Sequence, residues 1–138
     1  MDEGYLIANT DKPEWEIIGG GLRDYNIQQA GPGHDKPVCY LIYAPDQTIV
    51  GGIIGETHWN WLFINLMWIK EELRGHGYGH RLLLAAEEEA RGRGAKYAYL
   101  DTFSFQAPDF YKKHGYQVFG TLDNFPPGHR RYYLTKQL

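Results

Sequence analysis

The sequence has little of what would place it among disulfide-rich, membrane or nucleic-acid-binding proteins. It contains a single cysteine, Cys39, so no internal disulfide can form. No apolar stretch reaches the roughly 20 residues that a membrane-spanning helix needs, and the amino terminus lacks the basic start and apolar run of a secretion signal. A formal net charge of −3 removes the broad basic surface that non-specific nucleic-acid binding requires. We therefore expect a cytoplasmic protein that binds neither nucleic acid nor membrane.

The sequence does contain enough apolar residues to form a core. Of its 138 residues, 43% are hydrophobic and 15% aromatic. This length and composition suit one compact domain, so we expect a single domain over residues 1–138. Cys39 stands in the apolar run Val38-Cys39-Tyr40-Leu41, which predicts a structural thiol buried on a strand.

Turn residues and apolar periodicity divide the chain into alternating elements. Residues 4–10 predict a short first strand and residues 14–30 a helix, although the run Gly19-Gly20-Gly21 weakens that helix. Three apolar stretches then predict an antiparallel meander over 37–43, 49–58 and 61–70. A helix is predicted over 80–91, a strand over 96–102 and a short helix over 108–114. Two last strands are predicted over 116–121 and 131–135. We expect an α/β (α+β) fold with a mixed, mostly antiparallel sheet of about six to seven strands flanked by helices.

A glycine-rich loop, Arg74-Gly75-His76-Gly77-Tyr78-Gly79, joins the third apolar stretch to the long helix. The first N–H groups of a helix have no intrahelical partner, and the helix dipole adds positive potential there. Glycines at this point let several amides approach a phosphate or diphosphate closely. Arg74 and Arg81 add positive charge on either side. The loop therefore predicts an anion site.

Other interpretations of the loop are a simple tight turn or a different nucleotide motif. Spaced glycines alone are more often a turn. No Gly-Lys-Ser or Gly-Lys-Thr follows, which disfavours a Walker loop, and the spacing differs from Gly-x-Gly-x-x-Gly. The preceding hairpin series also differs from the opening of a parallel sheet.

With these residues the chain resembles the GNAT superfamily of acyl-CoA N-acyltransferases. The signature of that family is Gln or Arg, two residues, Gly, one residue, then Gly or Ala, and the loop fits every fixed position. A second motif, Ala-x3-Tyr-x3-Gly-aromatic, is matched by Ala107, Tyr111, Gly115 and Tyr116. The resemblance covers residues 37–138 and implies the family fold, in which a splayed strand pair holds the cofactor.

The resemblance implies an acetyl-CoA site and the residues that form it. The diphosphate would contact the loop and the first helical turn, and the pantetheine arm would pair with a free strand edge, as an added strand does. One edge amide would also polarise the thioester carbonyl. The implied cofactor-binding residues are Met67, Trp68, Ile69, Arg74, Gly75, His76, Gly77, Tyr78, Gly79 and His80. Ser104 replaces the asparagine that many members carry, and it is included as a hydrogen-bonding substitute.

Tyr111 matches the family tyrosine that protonates the departing thiolate. A phenol, with an ordinary pKa of about 10, keeps its proton at neutral pH; the alternative for Tyr111 is core packing among aromatic neighbours. The amine must be neutral to attack, so a base is needed. Asp101 and Glu56 are candidates, with His58 beside Glu56, and for each a structural role is an equal alternative.

The acceptor is expected to be the amine of a small molecule. Five aromatic residues are candidates to line its pocket, with residues 123–128 as a lid, and the alternative is that they fill the core: Trp59, Trp61, Trp68, Phe103 and Phe125. The predicted reaction is direct transfer of an acetyl group from acetyl-CoA to that amine. The alternatives are a non-catalytic acyl-CoA-binding module, a longer acyl chain or a protein amino group.

Two further expectations concern metals and assembly. The six histidines do not form a His-Glu-x-x-His motif, so no metal is expected. The family resemblance implies a homodimer through the carboxy-terminal strands.

Overall fold

The computed structural model describes residues 4–138. Contacts divide the chain into one unit that ends at Gly33 and a second that runs from His34 to Leu138. None of the helices in residues 4–138 has the length and apolar character needed to cross a bilayer.

Within the described residues 4–33, the unit that ends at Gly33 contains one helix, α1 (Trp15–Ala30). The predicted helix is confirmed, and it runs unbroken through Gly19-Gly20-Gly21. It ends at Gly31, whose φ of 80° suits glycine and whose N–H donates to the carbonyl of Ile27. The predicted strand over residues 4–10 is wrong, because that segment has neither helix nor strand conformation. A strand needs a neighbouring strand to pair its N–H and C=O groups, and no described strand pairs with this segment.

The second unit is a six-stranded mixed sheet with two α-helices. The elements in chain order are β1 (Lys36–Tyr43), β2 (Ile49–His58), β3 (Trp61–Ile69), α2 (Tyr78–Gly92), β4 (Tyr97–Phe103), α3 (Pro108–Lys113), β5 (Gln117–Asp123) and β6 (Arg130–Gln137). The strand order is β1-β2-β3-β4-β6-β5, and β3 with β4 is the parallel pair among otherwise antiparallel neighbours. The predicted class and every predicted strand of this unit are confirmed, with ends that differ by one or two residues.

Helix α2 packs its apolar side on the first strands of the sheet. Leu83, Ala86 and Ala90 are at most 1% exposed and meet Ile53 and Leu62 in one core cluster. The spacing of the buried positions on α2 follows the helical period. Burying this face fixes the start of α2 relative to β3.

Strands β3 and β4 pair only at their beginnings. Residues Trp61 to Ile64 pair with Tyr97 to Leu100, and no pairing continues beyond them. A β-bulge lies at the same point, because Ile54 pairs with Leu66 while Gly55 pairs with Ile64, which leaves Asn65 as the extra residue. The predicted splayed strand pair is confirmed.

Cys39 is exposed, so its predicted burial is wrong. It alternates with Val38, which is 2% exposed and points into the core. Successive side chains on a strand point to opposite faces, and an apolar run alone does not show which face is buried.

Candidate functional site

A cavity of about 760 Å3 occupies the gap where β3 and β4 separate. One wall is β3 from Ile64 to Ile69, and the loop that leads into α2 forms the second. Two residues at the end of β4 and five residues around α3 complete it: Asp101, Thr102, Phe105, Gln106, Ala107, Phe110 and Tyr111. The separation of two parallel strands thus creates a site at their carboxyl ends.

The glycine loop presents open backbone to this cavity. Gly75 and Gly77 have φ angles of 81° and 83°, in the left-handed region that favours glycine, and a Cβ at either would meet nothing within 4 Å. Gly77 precedes α2 and no side chain caps that helix start. The N–H groups of Tyr78, Gly79 and His80 therefore lack an intrahelical partner. Free amides at the positive end of a helix dipole are suited to bind an anion.

Two arginines and one aromatic ring hold the loop in place. Nε of Arg74 donates a 2.9 Å hydrogen bond to the carbonyl of Ile69, which ties the loop to the end of β3. The guanidinium of Arg81 lies 5.6 Å from the centre of the Tyr78 ring. A Cβ on Gly79 would lie 3.4 Å from the ring of Phe110, so α3 packs closely on the first turn of α2.

Tyr111 lies on α3, belongs to the core cluster and lines the cavity. The residue is 6% exposed. Its hydroxyl has no hydrogen-bond partner among residues 4–138. Every buried side-chain polar atom in those residues does have a partner, so the hydroxyl oxygen of Tyr111 is not fully buried. Burial, and secondly the charge of Asp101, raise the pKa of Tyr111 to about 12. The phenol stays protonated at neutral pH.

Asp101 lies in the same cavity and forms an ion pair with Arg131 of β6. Nη2 and Nε of Arg131 lie 2.8 Å and 3.0 Å from Oδ1 of Asp101. The other carboxylate oxygen, Oδ2, has no partner in the described part of the chain. The guanidinium lies 5.0 to 5.4 Å from the ring centres of Phe103, Phe125 and Tyr133. Aromatic packing thus orients Arg131, which in turn orients the carboxylate.

Most, but not all, of the predicted site residues line this cavity. Met67, Trp68, Ile69 and the loop do so, as do Asp101 and Tyr111. The lining does not include His76, Ser104 or Glu56. Ser104 instead accepts a hydrogen bond from the backbone of Arg130.

Glu56 belongs to a separate polar cluster with Asp35 and His58. One ligand-type atom from each side chain lies within 4.8 Å of the others. Nε2 of His58 also lies 3.4 Å from the hydroxyl of Tyr99. Desolvation, and then the charge of Glu56, raise the pKa of Tyr99. This cluster is on the sheet, outside the residues that line the cavity.

The residues of the predicted aromatic set lie at different places in the structure. Trp68 lines the cavity, whereas Trp61 stacks on Tyr97 with ring centres 4.8 Å apart. Phe103 packs on Phe125, at 5.7 Å between ring centres, beside Arg131.

Sequence reasoning missed Asn65 and Arg131. The bulge that makes Asn65 line the cavity depends on a register shift between β2 and β3, and Gly55 is the only local signal of it. Arg131 reaches Asp101 because their strands pair across 30 positions of sequence. An alternating pattern on β4 and β6 shows which residues share a face but not which ones pair.

Comparison with known proteins identifies relatives of this chain. The model of the Acetyltransferase (GNAT) family matches residues 4–116. An acetyltransferase of Agrobacterium fabrum is 34% identical over 134 residues, covering 96% of this chain and 98% of the relative. A blasticidin-S acetyltransferase of Streptomyces morookaense is 37% identical over 102 residues, which is 72% of this chain and 75% of the relative.

A solved structure of similar fold comes from Bacillus cereus. It is the crystal structure of an acetyltransferase that superposes with a TM-score of 0.89 at 34% identity, covering 97% of this chain and 98% of the other. The similarity therefore extends over nearly the whole of both proteins.

Proposed function

The chain belongs to the GNAT family of acetyltransferases, and from this premise we propose that it transfers the acetyl group of acetyl-CoA to the amine of a small molecule. The observation that carries the proposal is one cavity lined by an anion-binding helix start, a protonated phenol and a carboxylate. Each of these groups suits one part of such a transfer.

The residues of the glycine loop fit the diphosphate of acetyl-CoA. The φ angles of Gly75 and Gly77 and the open space beside them allow phosphate oxygens to approach the backbone. The first-turn amides of α2 donate hydrogen bonds, and the positive end of the helix dipole stabilises the anion.

The edge of β3 fits the pantetheine arm. Beyond Ile64 the strand has no partner on the β4 side, so peptide-like amides can pair with its free backbone groups. The carbonyl of Ile69 already accepts a hydrogen bond from Arg74. The backbone groups that remain for pairing with the pantetheine arm are therefore those of residues 65–68. A free N–H of this segment is suited to stabilise negative charge on the thioester oxygen.

Tyr111 is proposed to assist departure of the sulfur. Acetyl-CoA supplies the acyl group as a thioester, and its conversion to an amide releases a thiol. With a pKa of about 12, the Tyr111 phenol is a weaker acid than a thiol, whose ordinary pKa is about 8.5. Its main contribution is therefore a hydrogen bond to the developing thiolate, which leaves as the anion and takes its proton from solvent.

Asp101 is proposed to accept the proton of the attacking amine, directly or through water. Its Oδ2 is unpaired among the described residues while Oδ1 is held by Arg131. A carboxylate beside the cavity also attracts an ammonium group, so the acceptor would arrive as a cation and lose its proton there. Glu56 is the alternative base. It is the second choice because its cluster with His58 lies outside the residues that line the cavity.

The proposed acceptor class follows from the site and from the relatives. The name of the Streptomyces morookaense relative identifies an antibiotic, blasticidin-S, as its acceptor. Together with the acidic side chain in the cavity, this supports a small cationic amine. The name of a relative does not specify the acceptor of this chain, so the experiment uses a panel.

The test is thiol release from acetyl-CoA over amines that include blasticidin-S, polyamines, amino acids and a lysine peptide. We expect turnover with a small amine, and we expect Tyr111→Phe to lower kcat by about 100-fold while acetyl-CoA still binds. Tyr43→Phe is the matched control, because Tyr43 is exposed on β1 outside the cavity. Tight acetyl-CoA binding without turnover on any amine would support a binding module instead.

A further inference from the structure

The side chains of Asp35, Glu56 and His58 meet on the sheet, and none of the three lines the cavity. One ligand-type atom from each lies within 4.8 Å of the other two. Glu56 and His58 are two positions apart on β2 and share a face. Lys36, the first residue of β1, pairs with Thr57, so Asp35 lies across from His58. The strand register thus brings one imidazole and two carboxylates together.

Arg93 fixes the backbone that carries these side chains. It follows α2, and its guanidinium donates hydrogen bonds of 3.1 Å and 3.0 Å to the carbonyls of Lys36 and Pro37. A third hydrogen bond, of 3.0 Å, goes to Oγ1 of Thr57, which is 6% exposed. The start of β1 and the end of β2 are therefore tied together. A ligand that binds to groups held in this way orders little additional chain, which favours affinity.

Glu56 lacks the cation that the comparable carboxylates of the chain have. Four acidic side chains in residues 4–138 are buried or half-buried. Three of them form an ion pair with a lysine or an arginine: Glu87, Glu89 and Asp101. Glu56 is the fourth, and within those residues neither it nor Asp35 has an ion pair or a hydrogen bond. Because charges removed from water are ordinarily paired or bound to a metal, two such carboxylates side by side favour binding of a cation.

The types of ligand atom determine which cation fits. An imidazole nitrogen is a good ligand for transition metals such as Zn²⁺, whereas Mg²⁺ prefers an octahedron of oxygen atoms. Zn²⁺ binds histidine nitrogen and carboxylate oxygen at about 2.0 to 2.2 Å, and ligand atoms at the corners of such a tetrahedron are about 3.4 Å apart. Side-chain rotations that move the three ligand atoms by about 1 Å reach that spacing. The set therefore favours Zn²⁺ over Mg²⁺.

We propose that Asp35, Glu56 and His58 bind a divalent transition-metal ion, Zn²⁺ being the best fit, through one oxygen of each carboxylate and one imidazole nitrogen. Tyr99 is the positioning residue, because its hydroxyl lies 3.4 Å from Nε2 of His58 and metal-binding histidines ordinarily use their second nitrogen for such a contact. The ion would join β1, an edge strand, to β2. No linear motif indicates this set, since its members come from both strands. The inference does not depend on the proposed function.

The first measurement is calorimetric titration of the full chain with ZnCl2 and, separately, with MgCl2, after treatment with EDTA and removal of the chelator. We expect saturable binding of Zn²⁺ and binding of Mg²⁺ that is at least about a hundredfold weaker. Saturating Zn²⁺ should also raise the melting temperature by several degrees, because a ligand that binds only the folded state stabilises it.

Variants of similar size then test each ligand. Glu56→Gln and His58→Gln should each weaken Zn²⁺ binding by about tenfold or more and remove the rise in melting temperature, while the metal-free proteins still melt cooperatively. Asp35→Asn should act in the same direction. Tyr99→Phe should weaken Zn²⁺ binding several-fold without lowering the melting temperature of the metal-free protein, a separation that a purely structural role would not produce. His34→Asn is the control, because His34 adjoins Asp35, is exposed and has a φ of 55° that suits asparagine.

Three results would overturn the inference. One is uptake of Zn²⁺ by the wild type only in the millimolar range, as for an adventitious ion. The second is Mg²⁺ binding as tight as that of Zn²⁺, which would reject the assignment to a transition metal. The third is binding that Glu56→Gln and His58→Gln leave unchanged and His114→Gln removes, which would place the ion at His80 and His114, whose Nδ1 and Nε2 atoms are 2.8 Å apart. None of these results concerns acetyl-CoA, so the proposed function would stand.

Discussion

The hydroxyl of Tyr116 donates a 2.7 Å hydrogen bond to Oε2 of Glu87 in the middle of the core. Glu87 is fully buried, and Nζ of Lys136 lies 3.0 Å from both of its oxygens. The buried charge is therefore compensated by Lys136 and the Tyr116 phenol, which join α2 to β6 and to the segment after α3, and by Arg91 one turn along α2, whose Nη2 lies 4.0 Å from Oε1.

Removing this carboxylate should be strongly destabilising. Glu87→Ala leaves the ammonium of Lys136 and the Tyr116 hydroxyl without their partner, and we expect a loss of about 3 to 5 kcal/mol in the free energy of unfolding. Glu88→Ala is the control, because Glu88 is 81% exposed and pairs only with Arg91; surface changes of this kind stay within roughly 0.5 kcal/mol. Urea unfolding followed by circular dichroism compares the two, and equal midpoints would contradict the predicted role of Glu87.

Stability should also fall in alkaline solution because of the buried tyrosines. Burial raises the pKa of Tyr111 to about 12, and burial with the charge of Glu87 raises that of Tyr116 further. Unfolded tyrosines ionise near pH 10, so above that pH the unfolded chain binds fewer protons than the folded one and stability declines. The melting temperature should drop as the pH rises from 10 to about 12, and by less in Tyr111→Phe. An identical drop in wild type and variant would show that Tyr111 is not responsible.

Replacing Asp101 tests its assignment as the base. Asp101→Asn keeps the shape of the side chain but cannot take a proton, so we expect kcat/KM to fall by about 100-fold or more. Asp123→Asn is a matched control, since Asp123 pairs with Arg130 at 2.9 Å and is well exposed. If Asp101→Asn retains activity while Glu56→Gln loses it, the base belongs to the Glu56 cluster.

A methyl group on the loop should weaken binding of the co-substrate. Gly77 has a φ of 83°, where a side chain costs roughly 1 to 2 kcal/mol of backbone strain. In Gly77→Ala the backbone would relieve that strain by changing its conformation, which reorients the first N–H groups of α2. We expect acetyl-CoA affinity to drop several-fold. Gly92→Ala is the comparison, because Gly92 ends α2 with open space around it and alanine favours a helix by up to about 1 kcal/mol. Unchanged affinity in Gly77→Ala would argue against a backbone role of the loop.

Much of the fold was predictable because turn residues and periodicity mark the elements directly. The apolar stretches around Val38, Ile53 and Leu62 became strands β1 to β3, and the spacing of Leu82, Leu83 and Ala86 produced α2. Residues 4–10 were predicted wrongly because a strand depends on a partner elsewhere in the chain. Cys39 was predicted wrongly because an unbroken apolar run hides the alternation between faces.

The parts of the candidate site that lie within short continuous segments were predictable from the sequence. The loop glycines and Tyr111 lie within two motifs, and both segments line the cavity. The partnership of Asp101 with Arg131 arises from pairing between distant strands, for which one sequence contains no signal. The hydrogen bond between Nδ1 of His80 and Nε2 of His114, at 2.8 Å, likewise depends on how α2 and α3 pack.

The opening between β3 and β4 depends on Gly55, a residue of β2 that does not line the cavity. Opposite the bulge, a Cβ at this position would lie 2.2 Å from the carbonyl oxygen of Phe63, so any larger residue must push β3 out of register. Such a shift would displace Asn65 and the edge that follows it, and the protein would lose its ligand while every contacting residue kept its identity. A search for inactivating substitutions confined to contacting residues would overlook this position.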